Sequence, residues 1–308
     1  MYKNDGKIVR WYQPMSIKKY LNKLSDLTNR EILITGGTSG IGLAIVNHLL
    51  YKGAKVVLLA RNLSKAEKVK NDFIEQYPEA SISIIEYDQS KEELIESAIK
   101  EINDKHPTFD AIILNAGIFS PKNETSVEGE MTLTIKTNFY GLYLFTKKLL
   151  KTNKHPHRYI FQGSFSVGYR LKKITSLRDK NISKWQQYLI SKSGVESLFY
   201  HYCKYDKGPS SFYLVEPGLT GTDIIRDFIT PFRQISKAFL KLFTQSNKKA
   251  ALPALLALDK ETKNHSFIIP RGMFSLFGYP KIHPFPEKRI REYLYDLAVD
   301  IENNPIQF

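Results

Sequence analysis

Tyr188 and Lys192 stand four residues apart in Y-L-I-S-K, within a helically patterned segment from Trp185 to Tyr205, so their side chains share one helix face. A phenol left to itself has a pKa of about 10 and exchanges protons poorly near neutrality. An ammonium one turn away favours the phenolate, and lowering that pKa by about three units takes roughly 4 kcal/mol of differential stabilisation. Tyr188 is thereby a candidate proton carrier and Lys192 its electrostatic helper, although such a pair on a solvated helix has no meaning alone. Ser164 follows the apolar run Arg158 to Gln162 in Q-G-S-F-S. Beyond the carboxyl end of a strand, its hydroxyl can donate to an oxygen on which negative charge develops. Capping a turn is the plain alternative, and Ser166 is a rival. Asn138, embedded among Phe139, Leu142 and Leu144, is disfavoured in a helix interior and asks for a reason other than a solvated face.

Groups so far apart in sequence need a scaffold that gathers them. Thr35 to Gly42 read T-G-G-T-S-G-I-G between the apolar run Glu31 to Ile34 and the helical pattern Ile41, Ala44, Ile45, Leu49. A strand, a glycine turn and a helix start make a phosphate cradle, in which backbone approaches the anion and the helix N-terminus faces its charge. Gly36, Thr38, Ser39, Gly40 and Ile41 are the candidate contacts; a bland tight turn is the alternative. Further strands are expected at Lys55 to Ala60, Ser81 to Tyr87, Asp110 to Leu114, Arg158 to Gln162, Ser211 to Val215 and Ser266 to Ile269. Helices are expected at Ser64 to Gln76, Lys91 to Asn103, Thr125 to Lys151 and Trp185 to Tyr205. Apolar strands alternating with helices predict an α/β fold, a single doubly wound domain whose parallel sheet has about seven strands.

The glycine loop and Y-x-x-S-K together resemble the short-chain dehydrogenase/reductase family, over roughly residues 31–270, with a weaker echo from Arg271 to Lys281. The resemblance implies a Rossmann catalytic domain at 31–270, an N-terminal extension at 1–30, and a C-terminal extension at 271–308 packed on the same domain. It implies a catalytic tetrad of Asn138, Ser164, Tyr188 and Lys192, with Asn138 holding a water that relays protons to the lysine. Asn115-Ala116-Gly117 is similar to the family's motif that braces the sheet beside the cofactor. Pro217-Gly218 with Thr222 is similar to P-G-x-x-x-T, where Thr222 bonds the nicotinamide carboxamide. Asp88 is similar to the acid that contacts the adenine amine. Tyr188 follows Ser164 by 24 residues, a long gap that resembles the retinol-dehydrogenase-like branch.

At the end of the second strand an acid suits the ribose hydroxyls of NAD, whereas an arginine suits a 2′-phosphate. The chain reads Leu59-Ala60-Arg61-Asn62 with Lys65 nearby, which favours NADP(H), with NAD still open and adenine stacking an alternative for Arg61. The expected function is an NADP(H)-dependent oxidoreductase interconverting a carbonyl and an alcohol. A dinucleotide-binding redox sensor or scaffold on the same fold is the competing class, and a lyase or epimerase a distant third. Apolar residues from Phe228 to Phe243, where this family keeps its substrate lid, suggest a hydrophobic substrate, and a plain core helix explains them nearly as well.

With 308 residues, 42% hydrophobic and 25% charged, the composition is that of an ordinary globular protein. One cysteine, Cys203, excludes an internal disulfide and fits a reducing compartment, and a cytoplasmic protein is expected. The net charge of +14 comes from lysines scattered among glutamates, so solvated lysines explain it better than a membrane surface, and nucleic acid comes last. Two basic amphipathic stretches, Ser16 to Leu27 and Phe232 to Phe243, are expected to pack on the core rather than on a membrane. A homo-oligomer is expected, since relatives pair through the helices equivalent to 125–151 and 185–205.

Overall fold

Apolar runs of four to six residues that are hydrophobic at successive positions have to be covered on both faces, and here they line up as one sheet. The computed structural model describes residues 16–119, 121, 131–153, 155–168, 171–179, 181–220, 244–272 and 275–304. Among them are β1 (Glu31–Thr35), β2 (Lys55–Ala60), β3 (Ile82–Glu86), β4 (Ala111–Leu114), β5 (Arg158–Gln162), β6 (Ser211–Val215), β7 (Phe267–Pro270) and β8 (Pro280–His283). Their order is β3-β2-β1-β4-β5-β6-β7-β8. β1 to β7 run parallel and β8 pairs antiparallel with β7. The fold is thus the expected single doubly wound α/β domain, with its winding reversed between β1 and β4. The described sheet has one strand more than expected. β8 reads P-K-I-H, short, proline-led and with three of its four residues at least partly exposed, as edge strands are.

Alternate strand residues feed two cores. Leu33, Val57, Ile112, Phe161 and Leu214 join one cluster; Ile32, Ile34, Val56, Ile113 and Val215 join the other. Helix α1 (Ile17–Leu21), N-capped by the Ser16 hydroxyl, belongs to the second cluster through Leu21. Tyr20 lies 5.0 Å from the Tyr279 ring. This basic stretch therefore turns its apolar side chains onto the domain, while Phe232 to Phe243 fall outside the described residues. No helix of the described residues is long and apolar enough to cross a membrane. Helices α2 (Gly40–Tyr51), α3 (Leu63–Gln76) and α4 (Glu92–Lys105) follow β1, β2 and β3.

Of the helix expected from Thr125 to Lys151, residues 125–130 lie outside the described residues, and the described part, α5, starts later. Thr132 is extended, and its hydroxyl accepts from the Ile135 amide, so the described helix begins with Leu133–Ile135. It widens into a π turn over Lys136–Tyr140 and continues as Gly141–Thr152. Helix α6 (Lys184–Tyr205) is capped by Ser183 and α7 (Tyr293–Asn303) packs along it, with the His201 and Tyr295 rings stacked 3.5 Å apart.

Candidate active site

The cradle forms where β1 ends at Thr35 and α2 begins at Gly40. Gly40 has a φ of 56°, and a Cβ added to it would meet no atom within 4 Å, so the helix start faces open space. A Cβ on Gly42 would collide with the Gly36 carbonyl oxygen, which is why the helix can begin hard against the turn. Gly36, Thr38, Ser39 and Ile41 complete this turn. The Asn115 side-chain amide donates to the carbonyls of Thr35 and Gly36, each at 3.2 Å, and Ala116 N donates to Thr35 Oγ1 at 3.0 Å. The N-A-G segment therefore ties the end of β4 to the end of β1 at the switch point. With nothing among the described residues within 4 Å of a Gly40 Cβ, this backbone turn fits the pyrophosphate of a dinucleotide.

Other expected contacts sit along the same carboxyl edge. Arg61 is exposed directly after β2, and Asn62 caps α3 by accepting from Lys65 N at 2.8 Å. Asp88, two residues past β3, closes an Asx turn on Ser90 at 2.9 Å to its amide and 2.7 Å to its hydroxyl. Pro217 and Gly218 follow β6, where Gly218 takes a φ of 68° and Leu219 N donates to Leu276 O at 2.7 Å. The segment from Arg271 onward thus backs this loop. Thr222 lies outside the described residues.

Asn138, Ser164, Tyr188 and Lys192 are all buried and gather at one place. The Ser164 hydroxyl acts on the Tyr188 phenol, lowering its pKa, and bonds to Ser166, 2.8 Å from Ser164 Oγ. Between the two serine candidates, Ser164 is the one that acts on the tyrosine's pKa. Asn138 sits in the π turn, a local widening of the kind often found at functional positions. Its Oδ1 accepts from Ile118 N at 2.8 Å; its Nδ2 donates to Ile118 O at 2.8 Å and to Ser191 Oγ at 3.1 Å. Ser191 Oγ in turn donates to Tyr188 O at 2.9 Å. The asparagine so braces the loop after β4 against the tyrosine's own helix. Gly117 lies between the parts: a Cβ there would stand 3.5 Å from both Asn138 Oδ1 and Lys192 Nζ.

Burial governs the electrostatics of this group. It pushes the Tyr188 phenol up from its ordinary value, and the Ser164 hydroxyl offsets part of that rise. It pulls the Lys192 ammonium down to about 8. Lys192 Nζ donates to the Gln162 carbonyl at 3.0 Å. The expected lowering of the tyrosine pKa by the lysine is not what is found: burial raises it, and Ser164 rather than Lys192 is the group that offsets part of the rise.

Two kinds of partner escaped the sequence reading. Backbone groups of Gln162 and Ile118 hold Lys192 and Asn138, and a main-chain carbonyl carries no residue-type signal. Phe119 and Trp185 flank the tyrosine: Phe119 meets Tyr188 edge to face at 5.3 Å and Trp185 stacks on it at 5.9 Å. The helical step from Trp185 to Tyr188 was a signal that could have found the second.

Residues 30–229 match the family model described as short chain dehydrogenase. An uncharacterized oxidoreductase of Schizosaccharomyces pombe is 34% identical over 153 residues, 48% of this chain and 45% of its own. The 3-keto-steroid reductase/17-beta-hydroxysteroid dehydrogenase 7 of Homo sapiens is 36% identical over 39% of this chain and 33% of its own. The chain thus spans less than half the length of these relatives. Among solved structures, an uncharacterized protein from Mycobacterium Paratuberculosis superposes with a TM-score of 0.66 at 20% identity, over 94% of this chain and 98% of that one. That likeness is one of fold.

Proposed function

The chain belongs to the short chain dehydrogenase family of oxidoreductases, and from that premise we propose that it is an NADP(H)-dependent enzyme interconverting a carbonyl and an alcohol on a hydrophobic substrate. The observation that carries this reading is the buried Tyr188 phenol, its pKa lowered by Ser164, one helical turn from Lys192 and beside two aromatic rings. A bound nicotinamide would supply or accept the hydride. In the reducing direction the Tyr188 hydroxyl gives its proton to the substrate oxygen, while the Ser164 hydroxyl donates a hydrogen bond to the same atom as charge grows on it. The Lys192 ammonium favours the phenolate left behind. Asn138 has both amide hydrogens engaged, so a relay water would have to use the second lone pair of Oδ1 or the main chain.

Gly36, Thr38, Ser39, Gly40, Ile41, Asn115 to Gly117, Asp88, Pro217, Gly218 and Thr222 would hold the dinucleotide. Phe119 and Trp185 support a flat or greasy substrate, since rings of this kind favour apolar area over polar groups. The long serine-to-tyrosine gap supports the retinol-dehydrogenase-like branch. Measured oxidation of NADPH with a series of hydrophobic aldehydes and ketones tests the reading; turnover confined to small polar carbonyls would count against it.

Cofactor choice rests on Arg61. Its exposed position after β2, with no acid at that strand end, suits a 2′-phosphate. Arg61→Ala is expected to weaken NADPH binding by roughly tenfold to hundredfold, the equivalent of about 1.5–3 kcal/mol for one charge-assisted contact, with little change for NADH. Titration calorimetry with each nucleotide checks this. Equal losses for the two, or a wild-type preference for NADH, would refute it.

A further inference from the structure

Glu216 directly follows β6 and precedes Pro217; it is 2% exposed, and a carboxylate so deep is costly unless it is paired. Its partner comes from the C-terminal segment. Arg289, in the short 3-10 helix Glu287–Arg289, donates from Nη2 to the Glu216 carboxylate. The same guanidinium grips Glu196 of α6, also buried: Nε donates to Oε2 at 2.9 Å and Nη2 to Oε1. It lies 5.2 Å over the Phe267 ring as well. Burial pushes both carboxyls up, Glu196 to about 7, and Arg289 opposes the rise in each. One cation thus joins the end of β6 to the helix that carries Tyr188 and Lys192.

We propose that Arg289 is a positioning residue for the cofactor: by tying Glu216 to α6 it holds the loop 217–219 in its binding shape. This rests on the functional reading given above, in which Pro217 and Gly218 contact the dinucleotide. The loop's other ties are hydrogen bonds to its backbone. Leu219 N donates to Leu276 O at 2.7 Å, and Gln245 N donates to Leu219 O at 2.9 Å. Gln245 Nε2 donates to Pro217 O, and its Oε1 accepts from Gly278 N at 3.1 Å. Arg289 adds the charged tie, at the residue where the loop leaves the strand. Among the described residues no other cation bonds to Glu216. Without Arg289 the buried acid takes up a proton or turns toward water, and the stem of the loop comes loose. The C-terminal segment itself stays docked, since Ser197 Oγ donates to Arg291 O at 2.9 Å and the Phe285 ring meets Phe199 at 5.2 Å. A loop that keeps its binding shape only a tenth of the time weakens binding by about tenfold and leaves turnover of the bound enzyme unchanged.

The test reads the loop and the nucleotide separately. Amide exchange in full-length protein, followed by NMR, reports on Leu219 N–H, with the amides of β5 as reference. In Arg289→Met the Leu219 amide should exchange about tenfold faster or more, while β5 keeps its wild-type protection. NADPH, titrated by fluorescence, should bind about tenfold more weakly, with kcat at saturating NADPH within about twofold of wild type. Arg289→Lys, which keeps the charge and loses the fork, should recover part of both losses. If Arg289→Met does not fold, Glu216→Gln, which leaves the Arg289–Glu196 pair in place, carries the test with the same readouts. An unmoved Leu219 amide, faster exchange throughout the sheet, or a loss that falls on kcat instead of affinity overturns the proposal. Wild-type protein that does not bind NADPH would overturn the cofactor reading as well, whereas an unmoved Leu219 amide overturns this proposal alone.

Discussion

Tyr188→Phe is expected to lower carbonyl turnover by roughly a hundredfold to ten-thousandfold, the range that a positioned proton carrier contributes, and to leave nucleotide affinity nearly as it was. The ring stays, so its contacts with Phe119 and Trp185 stay with it. Only the hydroxyl that Ser164 acts on is removed. The nucleotide contacts proposed above lie in the glycine cradle and the N-A-G brace, which the substitution does not reach. Single-turnover kinetics beside a fluorescence titration of NADPH separate the two effects. Undiminished turnover would mean that the proton comes from another group.

Lys192→Met is expected to cost turnover on a similar scale and to change the pH profile as well. Burial places the ammonium at about 8 in the free enzyme. Below that pH Lys192 is charged and favours the Tyr188 phenolate; above it the charge, and with it that help, is lost. For carbonyl reduction, kcat/KM of the wild-type enzyme should therefore fall as pH rises through about 8. In Lys192→Met that limb should vanish and a low, flatter rate remain. A variant that keeps the limb near 8 would assign it to a different group.

Much of this could be seen before any coordinates. The strands Lys55–Ala60, Arg158–Gln162 and Ser211–Val215 were legible to the residue, because an apolar run between helical patterns has few other uses. The glycine loop and the Tyr188–Lys192 spacing were legible because each depends on residue type at fixed offsets. What stayed hidden depends on the backbone or on distant packing. The π turn around Asn138 leaves no compositional mark, and the start of α5 at Leu133 turned on Thr132 being extended. β8 is too short and too exposed to stand out. Lys192 is held by a main-chain carbonyl. Arg289, 93 residues beyond Glu196, looks in sequence like one more solvated cation in a basic chain.

Hydride transfer itself is the central claim, and isotope transfer tests it most directly. Wild-type protein is given NADPH deuterated at the reactive C4 position, together with hydrophobic aldehydes and ketones, and the alcohols are analysed by mass spectrometry and NMR. One deuterium is expected on the carbinol carbon of the product, with the hydroxyl proton drawn from solvent by way of Tyr188. Alcohol whose carbinol hydrogen comes from solvent, or bound NADPH that reduces none of the carbonyls, would contradict it.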